Sequence, residues 1–253
     1  MAARLIALAL ALAAALPARA FDHSAWDALL RKHVVVQPGA HASKVDYAGF
    51  ARDRAALKGY LGALSAVQRS TFDAWPRDER KAFLINAYNA FTIEKILTRY
   101  PDIGSIWDFG KIFGNPFKDK FFELLGAPMS LDGIEHGMLR RRGAYDDPRI
   151  HYAVNCASIG CPMLREEAYI AARLEAQLDE QARRFLSDRS RNRYRDGRLE
   201  VSKIFDWFEE DFEPREQYFA RYAQVLGYPG GPVPIEFLDY DWSLNGLRSS
   251  SRR

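Results

Sequence analysis

The chain has 253 residues, of which 48% are hydrophobic, 13% aromatic and 27% charged. These proportions are typical of a globular protein, and they exclude a disordered, collagen-like or low-complexity chain. Two cysteines are too few for a small disulfide-rich fold. The formal net charge is +3, and two of the positive charges, Arg4 and Arg19, belong to a predicted leader. This balance therefore gives no indication of nucleic-acid binding.

The first twenty residues are predicted to be a signal peptide. An apolar run over 5–16 follows Arg4, and Pro17 then precedes the small-x-small pattern of 18–20. The run is shorter than the roughly 20 residues that a membrane-spanning helix needs. We therefore expect cleavage after Ala20, a periplasmic or secreted location and no integral membrane segment in the mature protein. An uncleaved membrane anchor is the alternative.

Beyond the leader, hydrophobic periodicity and capping signals predict more helices than strands. The predicted helices cover 24–33, with Ser24 as N-cap, and 53–64, 78–100, 131–142, 166–186, 203–212 and 214–227. The predicted strands cover 150–156, 199–201 and 235–240, and 104–128 is predicted to be an irregular loop.

None of the predicted strands is joined to another by a regular βαβ crossover. We therefore expect a helix-rich α+β protein with a small, mainly antiparallel sheet. The predicted domain organisation is a signal peptide over 1–20, one globular domain over 21–245 and a disordered tail over 246–253.

Two asparagines interrupt the most apolar of the predicted helices. Asn86 and Asn89 are three residues apart, so they share one face of that helix. A buried carboxamide that lacks a partner costs roughly 1–3 kcal/mol, so both should hydrogen-bond to specific groups. A structural role, in which they hold a loop or a strand edge, is favoured over a role in a polar pocket or in positioning a catalytic group.

A second group of polar residues lies in the predicted helix over 131–142. Glu135 follows Asp132 at the spacing of a capping box, and His136 and Arg140 share a face at i,i+4. This face is either solvated, or it holds a carboxylate or orients an imidazole.

The richest polar stretch surrounds the two cysteines. In a strand over 150–156, His151 and Asn155 face one side and Cys156 faces the other. This geometry argues against His151 as a base for Cys156, and His136 is the best candidate among the remaining histidines. The spacing of Cys156 and Cys161 is not that of a Cys-x-x-Cys redox motif.

Three fates remain open for this cysteine pair. The first is a structural disulfide across a turn, which would add little stability because the closed loop is short. The second is a zinc site that also uses His136 or His151, and it is disfavoured because exported thiol pairs tend to oxidise. The third is a free, nucleophilic Cys156 with Ser158 and backbone N–H groups beside it.

Four motifs occur in an order that resembles the domain of unknown function family 547. They are Phe83-Leu-Ile-Asn-Ala-Tyr-Asn-Ala, Ser130-Leu-Asp-Gly-Ile-Glu-His-Gly, Arg149-Ile-His-Tyr-Ala-Val-Asn-Cys-Ala-Ser with Cys161-Pro162, and Tyr240-Asp-Trp-Ser-Leu-Asn. The resemblance extends from Val45 to Asn245, nearly the whole mature chain. It implies a single domain, and it implies no activity, cofactor or catalytic residue.

Two classes of function follow from these residues. The first is a thiol-dependent hydrolase or acyl transferase that acts on a small molecule or an envelope component, without cofactor or metal. Cys156 would be its nucleophile, His136 its base, and Glu135 or Asn86 the orienting group. The second is a non-catalytic ligand-binding or assembly module with a Cys156–Cys161 disulfide. The predicted binding residues are Asn86, Asn89, Arg140, His151, Asn155 and Ser158.

Overall fold

A computed structural model of the protein describes residues 20–110 and 114–247. These ranges contain eleven α-helices. Helices α1 to α11 span Ser24–His33, Tyr47–Arg52, Arg54–Ala66, Arg69–Asp73, Arg77–Leu97, Leu131–Ile134, Ile150–Ala153, Leu174–Ser187, Ile204–Trp207, Arg215–Arg221 and Ala223–Leu226. The predicted signal peptide lies outside the described residues except for Ala20. Within the described ranges, no helix is both long and apolar enough to cross a membrane.

The strands form three small sheets. Strands β1 to β7 span Val34–Val36, Ser43–Val45, Phe122–Leu124, Ala127–Met129, Arg193–Arg195, Arg198–Ser202 and Ile235–Leu238. The pairs β1–β2 and β3–β4 are antiparallel, and β5, β6 and β7 form a three-stranded sheet in that order. Only the β6–β7 pair of the described residues is parallel. The predicted helix-rich α+β class with a mainly antiparallel sheet is therefore confirmed.

Helix α5 is the central element of the fold. All its residues from Lys81 to Leu97 are buried, because α2, α3 and α6 pack around it. A helix that is apolar on all sides is stable only when its whole circumference is covered. The helix ends shortly before Pro101, which cannot continue a helix. The prediction for 78–100 is confirmed apart from the last turn.

The hydrophobic residues form two clusters that meet at α7. The first cluster surrounds α5, and the second joins α8, β6, α9 and α10. Ile150 and Ala153 of α7 belong to the first cluster, whereas Tyr152 belongs to the second. Residues that follow α7 in the chain therefore lie at the boundary between the two clusters.

The predicted strand over 150–156 is wrong. Residues Ile150–Ala153 form the helical turn α7, and the chain becomes extended only at Val154. A carboxylate oxygen of Asp147 accepts a hydrogen bond from the backbone N–H of Arg149, at 3.0 Å. Asp followed by Pro is a helix-start signal, because the carboxylate caps free N–H groups and Pro148 fits the first turn.

Several predicted boundaries also differ. The helix predicted over 166–186 begins only at Leu174. The N-cap of α1 is His23 rather than the predicted Ser24. The region predicted as a loop contains a 3₁₀ turn, Ile106–Gly110, and the β3–β4 hairpin. Leu125 and Gly126 both have positive φ at the tip of that hairpin, as a tight two-residue turn requires.

The two ends of the described chain are held in place. The backbone N–H of Phe21 donates to Oε1 of Glu79 at 2.7 Å, and the Phe21 ring packs against Phe83. At the other end, the N–H of Leu247 donates to the carbonyl oxygen of Val45. Residues 246 and 247 of the predicted disordered tail are thus paired with β2, and 248–253 lie outside the described residues.

The two asparagines of α5 are buried and paired with backbone groups. The Asn86 carboxamide donates to the carbonyl of Tyr169 at 2.7 Å and accepts from its N–H at 3.0 Å. The Asn89 carboxamide donates to the carbonyl of Ala153 at 2.9 Å and accepts from the N–H of Asn155 at 2.8 Å. Each carboxamide therefore bonds to one backbone C=O and one backbone N–H, as a neighbouring strand would. This is the structural role that the sequence favoured.

Replacing Asn86 with Leu should reduce the free energy of unfolding by about 1–3 kcal/mol, because the N–H and C=O of Tyr169 would lose their partner inside the core. Urea denaturation followed by circular dichroism measures this loss. Gln224→Leu, a substitution of an exposed amide, is the control and should change stability by less than about 0.5 kcal/mol. Equal stability of the Asn86→Leu variant and the unchanged protein would contradict the structural role.

Candidate active site

A cavity of about 410 Å³ lies at the boundary between the two hydrophobic clusters. Its walls combine titratable groups with aromatic rings. The lining residues are Tyr88, Trp107, Asn115, Phe117, Glu135, His151, Val154, Cys156, Cys161, Pro162, Ile204, Trp207, Phe208, Tyr240 and Trp242. A concave apolar site with a few convergent polar groups is the usual form of a small-molecule or active site.

The Cys156 thiol has hydroxyl partners at the cavity wall. Its Sγ lies 3.1 Å from Oγ of Ser158 and 3.2 Å from the hydroxyl of Tyr240. Burial raises the pKa of Cys156, but hydrogen bonds from Cys161, Ser158 and Tyr240 outweigh it, and the pKa falls below its ordinary value. At a given pH, the fraction of thiolate, the nucleophilic form, is therefore larger than for an ordinary thiol.

Cys161 is in the opposite electrostatic situation. Burial and the adjacent Cys156 sulfur raise its pKa well above the ordinary value. Its Sγ accepts a hydrogen bond from the backbone N–H of Cys156 at 3.0 Å, and both cysteines are free thiols. The two sulfurs therefore differ in reactivity, although both line the same cavity.

The loop after Cys156 is shaped by Asn155. The Asn155 side chain donates to the carbonyl of Pro162 and accepts from the N–H of Ala157. Ala157 is held at φ 64°, in the left-handed region. An L-residue pays roughly 1–2 kcal/mol for this conformation. Such strain persists only where surrounding contacts impose it, and it is often found at functional sites.

A second segment holds this loop beside Tyr240. The N–H groups of Ile159 and Gly160 donate to the carbonyl oxygens of Ser243 and Asp241, each at 2.8 Å. A Cβ on Gly160 would lie 2.9 Å from the Tyr240 ring and 3.0 Å from the Asp241 nitrogen. Only glycine allows this close approach, which brings the Tyr240 hydroxyl to the Cys156 sulfur.

His151 is a fully enclosed imidazole with a carboxylate partner. Its Nε2 lies 2.6 Å from Oδ2 of Asp211, and its ring stacks on Phe208 with centroids 4.2 Å apart. Burial lowers the pKa of His151 and outweighs the opposing effect of Asp211. The imidazole is therefore neutral near pH 7. With its proton on Nε2 toward the carboxylate, Nδ1 is the nitrogen that can accept another proton.

Asp211 stays ionised in this arrangement. Burial raises its pKa, but hydrogen bonds from His151 and Arg140 outweigh burial and lower the pKa to about 2. The Arg140 guanidinium also contacts Glu210 and lies over the Phe208 ring, 4.7 Å from its centroid. Arg140 thus holds the carboxylate that orients His151.

Glu135 faces the cavity because of a local change of helical pitch. Residues Glu135–Leu139 form a π-helical turn, closed by a bond from the N–H of Arg140 to the carbonyl of Glu135 at 2.8 Å. The carboxylate Oε1 lies 3.9 Å from Nδ1 of His151. Burial raises the pKa of Glu135. A carboxyl group of this kind can hold or pass a proton near the imidazole.

His136 does not line the cavity. Its Nδ1 is 2.7 Å from the Arg140 guanidinium, its Nε2 is 3.7 Å from Asp132, and 38% of its side chain is exposed. The expected i,i+4 contact between His136 and Arg140 is present. The predicted pairing of His136 with Cys156 is not, because the π-helical turn separates His136 from the face that carries Glu135.

Cys156 and His151 instead line the same cavity. The argument that separated these two residues depended on strand alternation, which a helical turn at Ile150–Ala153 does not follow. Ser158 contacts the Cys156 sulfur, and Asn155 shapes the loop. Both also line a separate, more polar cavity of about 310 Å³ on the other side of the loop.

Sequence reasoning missed three parts of the site. Asp211 was assigned to a continuous helix over 203–212, whereas it lies in a 3₁₀ turn after α9. Tyr240 and Trp242, which alternate with Asp239 and Asp241 along the chain, are not among the predicted site residues. The alternation itself is correct, because the aromatic pair lines the large cavity and the aspartates line the polar one.

The disfavoured alternative for the cysteine pair is a zinc site that also uses His136 or His151. Within residues 20–110 and 114–247, no group of three or more His, Cys, Asp or Glu side chains is arranged to hold a metal ion.

The fold and the site together define a helix-rich α+β protein with a thiol, an imidazole and carboxylates around one aromatic cavity. Residues 72–186 match the model of a family described as "Protein of unknown function, DUF547". The resemblance to family 547 is therefore confirmed for this central segment, which includes Cys156 and His151, whereas Asp211 and Tyr240 lie beyond it. No curated protein and no solved structure matches the chain.

Iodoacetamide should alkylate Cys156 at neutral pH and leave Cys161 unmodified, because the pKa of Cys156 is lowered and that of Cys161 is raised. The rate should rise with pH and level off at a lower pH than for an ordinary thiol, since only the thiolate reacts. Tyr240→Phe should slow alkylation at pH 7 by about tenfold, because one hydrogen bond to the thiolate is lost.

Peptide mass mapping of the labelled protein identifies the modified cysteine, and Tyr194→Phe is the control tyrosine substitution. Labelling that is absent until a reductant is added would contradict this prediction and favour the Cys156–Cys161 disulfide of the binding-module hypothesis.

Proposed function

We propose that the protein is a thiol-dependent hydrolase or acyl transferase, with Cys156 as nucleophile and His151 as general base. The observation that carries this proposal is that a thiol of lowered pKa and a neutral, carboxylate-bound imidazole line one cavity. A nucleophile, a base and a group that orients the base are the components of thiol-based acyl transfer. Asp211 is the orienting group, in place of the Glu135 expected from the sequence.

In the first half of the reaction, Nδ1 of His151 takes the thiol proton and the Cys156 sulfur attacks the carbonyl carbon of the substrate. A C–S bond forms, and the carbonyl oxygen becomes an oxyanion. The Tyr240 hydroxyl, 3.2 Å from the sulfur, can donate to this oxyanion. The bond to the leaving alcohol, thiol or amine then breaks, and the leaving group takes the proton from His151.

The second half returns the enzyme to its starting state. Water, or an acceptor hydroxyl or amine, loses a proton to His151 and attacks the thioester carbon. The C–S bond breaks, and the sulfur leaves as the thiolate that Ser158 and Tyr240 support, which then takes back the proton held by His151. Whether water or another acceptor enters decides between hydrolysis and transfer. Glu135, 3.9 Å from Nδ1, can assist proton movement at the same nitrogen.

Replacing His151 with Ala should reduce the rate of Cys156 acylation by p-nitrophenyl butyrate by about 10²–10⁴-fold, the usual contribution of a general base. His136→Ala should leave the rate close to that of the unchanged protein, because His136 contacts Arg140 outside the cavity. The burst of p-nitrophenolate and the intact mass of the acyl-enzyme measure acylation. In the unchanged protein, the rate should fall as the pH drops through the His151 pKa, which burial holds below its ordinary value.

A large loss in His136→Ala with little loss in His151→Ala would instead support the base expected from the sequence. Absence of any acyl-enzyme, with Cys156 reduced and accessible, would overturn the acyl-transfer proposal.

We also propose that the protein is exported and cleaved after Ala20. Cleavage there would convert the Phe21 amide nitrogen into an ammonium group, and that nitrogen already lies 2.7 Å from a carboxylate oxygen of Glu79. Glu79 is only 6% exposed, so a charged partner would strengthen a hydrogen bond that is largely shielded from water. This contact supports a mature chain that begins at Phe21.

Mass spectrometry of the exported protein should therefore find an N-terminus at Phe21. In the chain that begins there, Glu79→Gln should reduce the free energy of unfolding by about 1–3 kcal/mol, because the ammonium loses its charged partner. The same substitution should cost less in a chain that retains the leader, and Glu123→Gln is the exposed control. Recovery of the full-length chain from membranes, or an equal loss in both chains, would contradict cleavage at this position.

A further inference from the structure

The wall of the 410 Å³ cavity is mainly aromatic. The contributing rings are Tyr88, Trp107, Phe117, Trp207, Phe208, Tyr240 and Trp242. Several of them contact one another: Trp207 stacks on Trp242 with centroids 5.6 Å apart, and Trp107 meets Trp242 edge-on at 5.4 Å. Ring contacts thus connect five of these residues into one apolar surface: Trp107, Phe117, Trp207, Tyr240 and Trp242.

This surface extends to solvent at two tryptophans. Trp107 is 38% exposed and Trp207 is 43% exposed, although both are large apolar side chains. Exposed apolar surface that continues into a cavity is a feature of binding sites, because a ligand removes it from water. The same wall reaches the Cys156 sulfur through Tyr240, whose ring lies 4.9 Å from that of Trp207.

The charges of the lining argue against an anionic ligand. Of the described residues that line the cavity, none is Lys or Arg, and Glu135 is the one carboxylic acid. An anion would meet no Lys or Arg side chain there and would lie near a carboxyl group, so burial of its charge would be unfavourable. Oε1 of Glu135 lies 3.9 Å from Nδ1 of His151. The carboxyl group is therefore directed at the imidazole.

We infer that the group bound in this cavity is an uncharged apolar chain, and that the substrate is an ester, thioester or amide of an aliphatic or aromatic acyl group. This inference rests on the proposed function for the acyl bond, but the apolar preference stands on the cavity lining alone. The volume of 410 Å³ is at the small end of ligand sites, which suits a chain of modest length.

The inference is tested by calorimetric binding to the Cys156→Ala variant, which has no nucleophile. Octanamide, octanoate and octylammonium share one chain length and differ in charge. Octanamide should bind at least about tenfold more tightly than octanoate. From butanamide to octanamide, the affinity should rise about fourfold for each added methylene, the fold-change that corresponds to burial of one CH₂ group.

Trp207→Ala should weaken octanamide binding, whereas Ile170→Ala, an exposed apolar residue outside the cavity, should not change it. Tightest binding of octanoate or octylammonium, or affinity independent of chain length, would overturn the inference. Because the test variant cannot form an acyl-enzyme, its result is separate from that of the acylation experiment. Acylation of Cys156 without octanamide binding would refute only the proposed substrate class. Octanamide binding without acylation would refute only the proposed enzymatic activity.

Discussion

The Asn89 carboxamide makes the contact on which the candidate site depends. It extends from the buried helix α5 and forms hydrogen bonds on both sides of Val154, to the carbonyl of Ala153 and the N–H of Asn155. The helical turn that carries His151 ends at the first of these groups, and the loop that carries Cys156 begins at the second. One rigid helix therefore sets the position of both reactive groups. A carboxamide is suited to this task because it has a donor and an acceptor in a fixed geometry.

This contact flanks Val154, which lines the cavity between the two hydrophobic clusters. Helix α5 belongs to one hydrophobic cluster, and the aromatic residues of α9 and α10 belong to the other. The titratable groups are at this boundary, where burial shifts their pKa values in opposite directions: that of His151 falls and that of Glu135 rises. Such divergence near one cavity is common at catalytic sites.

Much of the architecture followed from local signals in the sequence. The predicted core helix, the strand at β6 and the helices ended by Gly227 depend on periodicity and capping, which act over a few residues. The strand expected over 150–156 is wrong because apolar alternation over so few residues is also compatible with a helical turn, which here follows Asp147-Pro148. The π-helical turn at Glu135–Leu139 has no comparable sequence signature, so the sequence could not show that Glu135 lines the cavity and His136 does not. Likewise, no local pattern connects Asp211 with His151, which are 60 positions apart.

The Cys156 loop has a consequence for the order of folding. Its positive φ at Ala157 is not a conformation that alanine prefers, so contacts from elsewhere in the chain must impose it. One such contact, between Asn245 and Asn155, spans 90 positions, and the backbone bonds from Ile159 and Gly160 lead to the same distant segment. Closing so long a segment is entropically costly and precedes the contacts that reward it. The nucleophile loop thus reaches its native shape only after the segment 241–245 has joined the fold. The core helix, whose contacts are earlier in the chain, can be in place before the loop is complete.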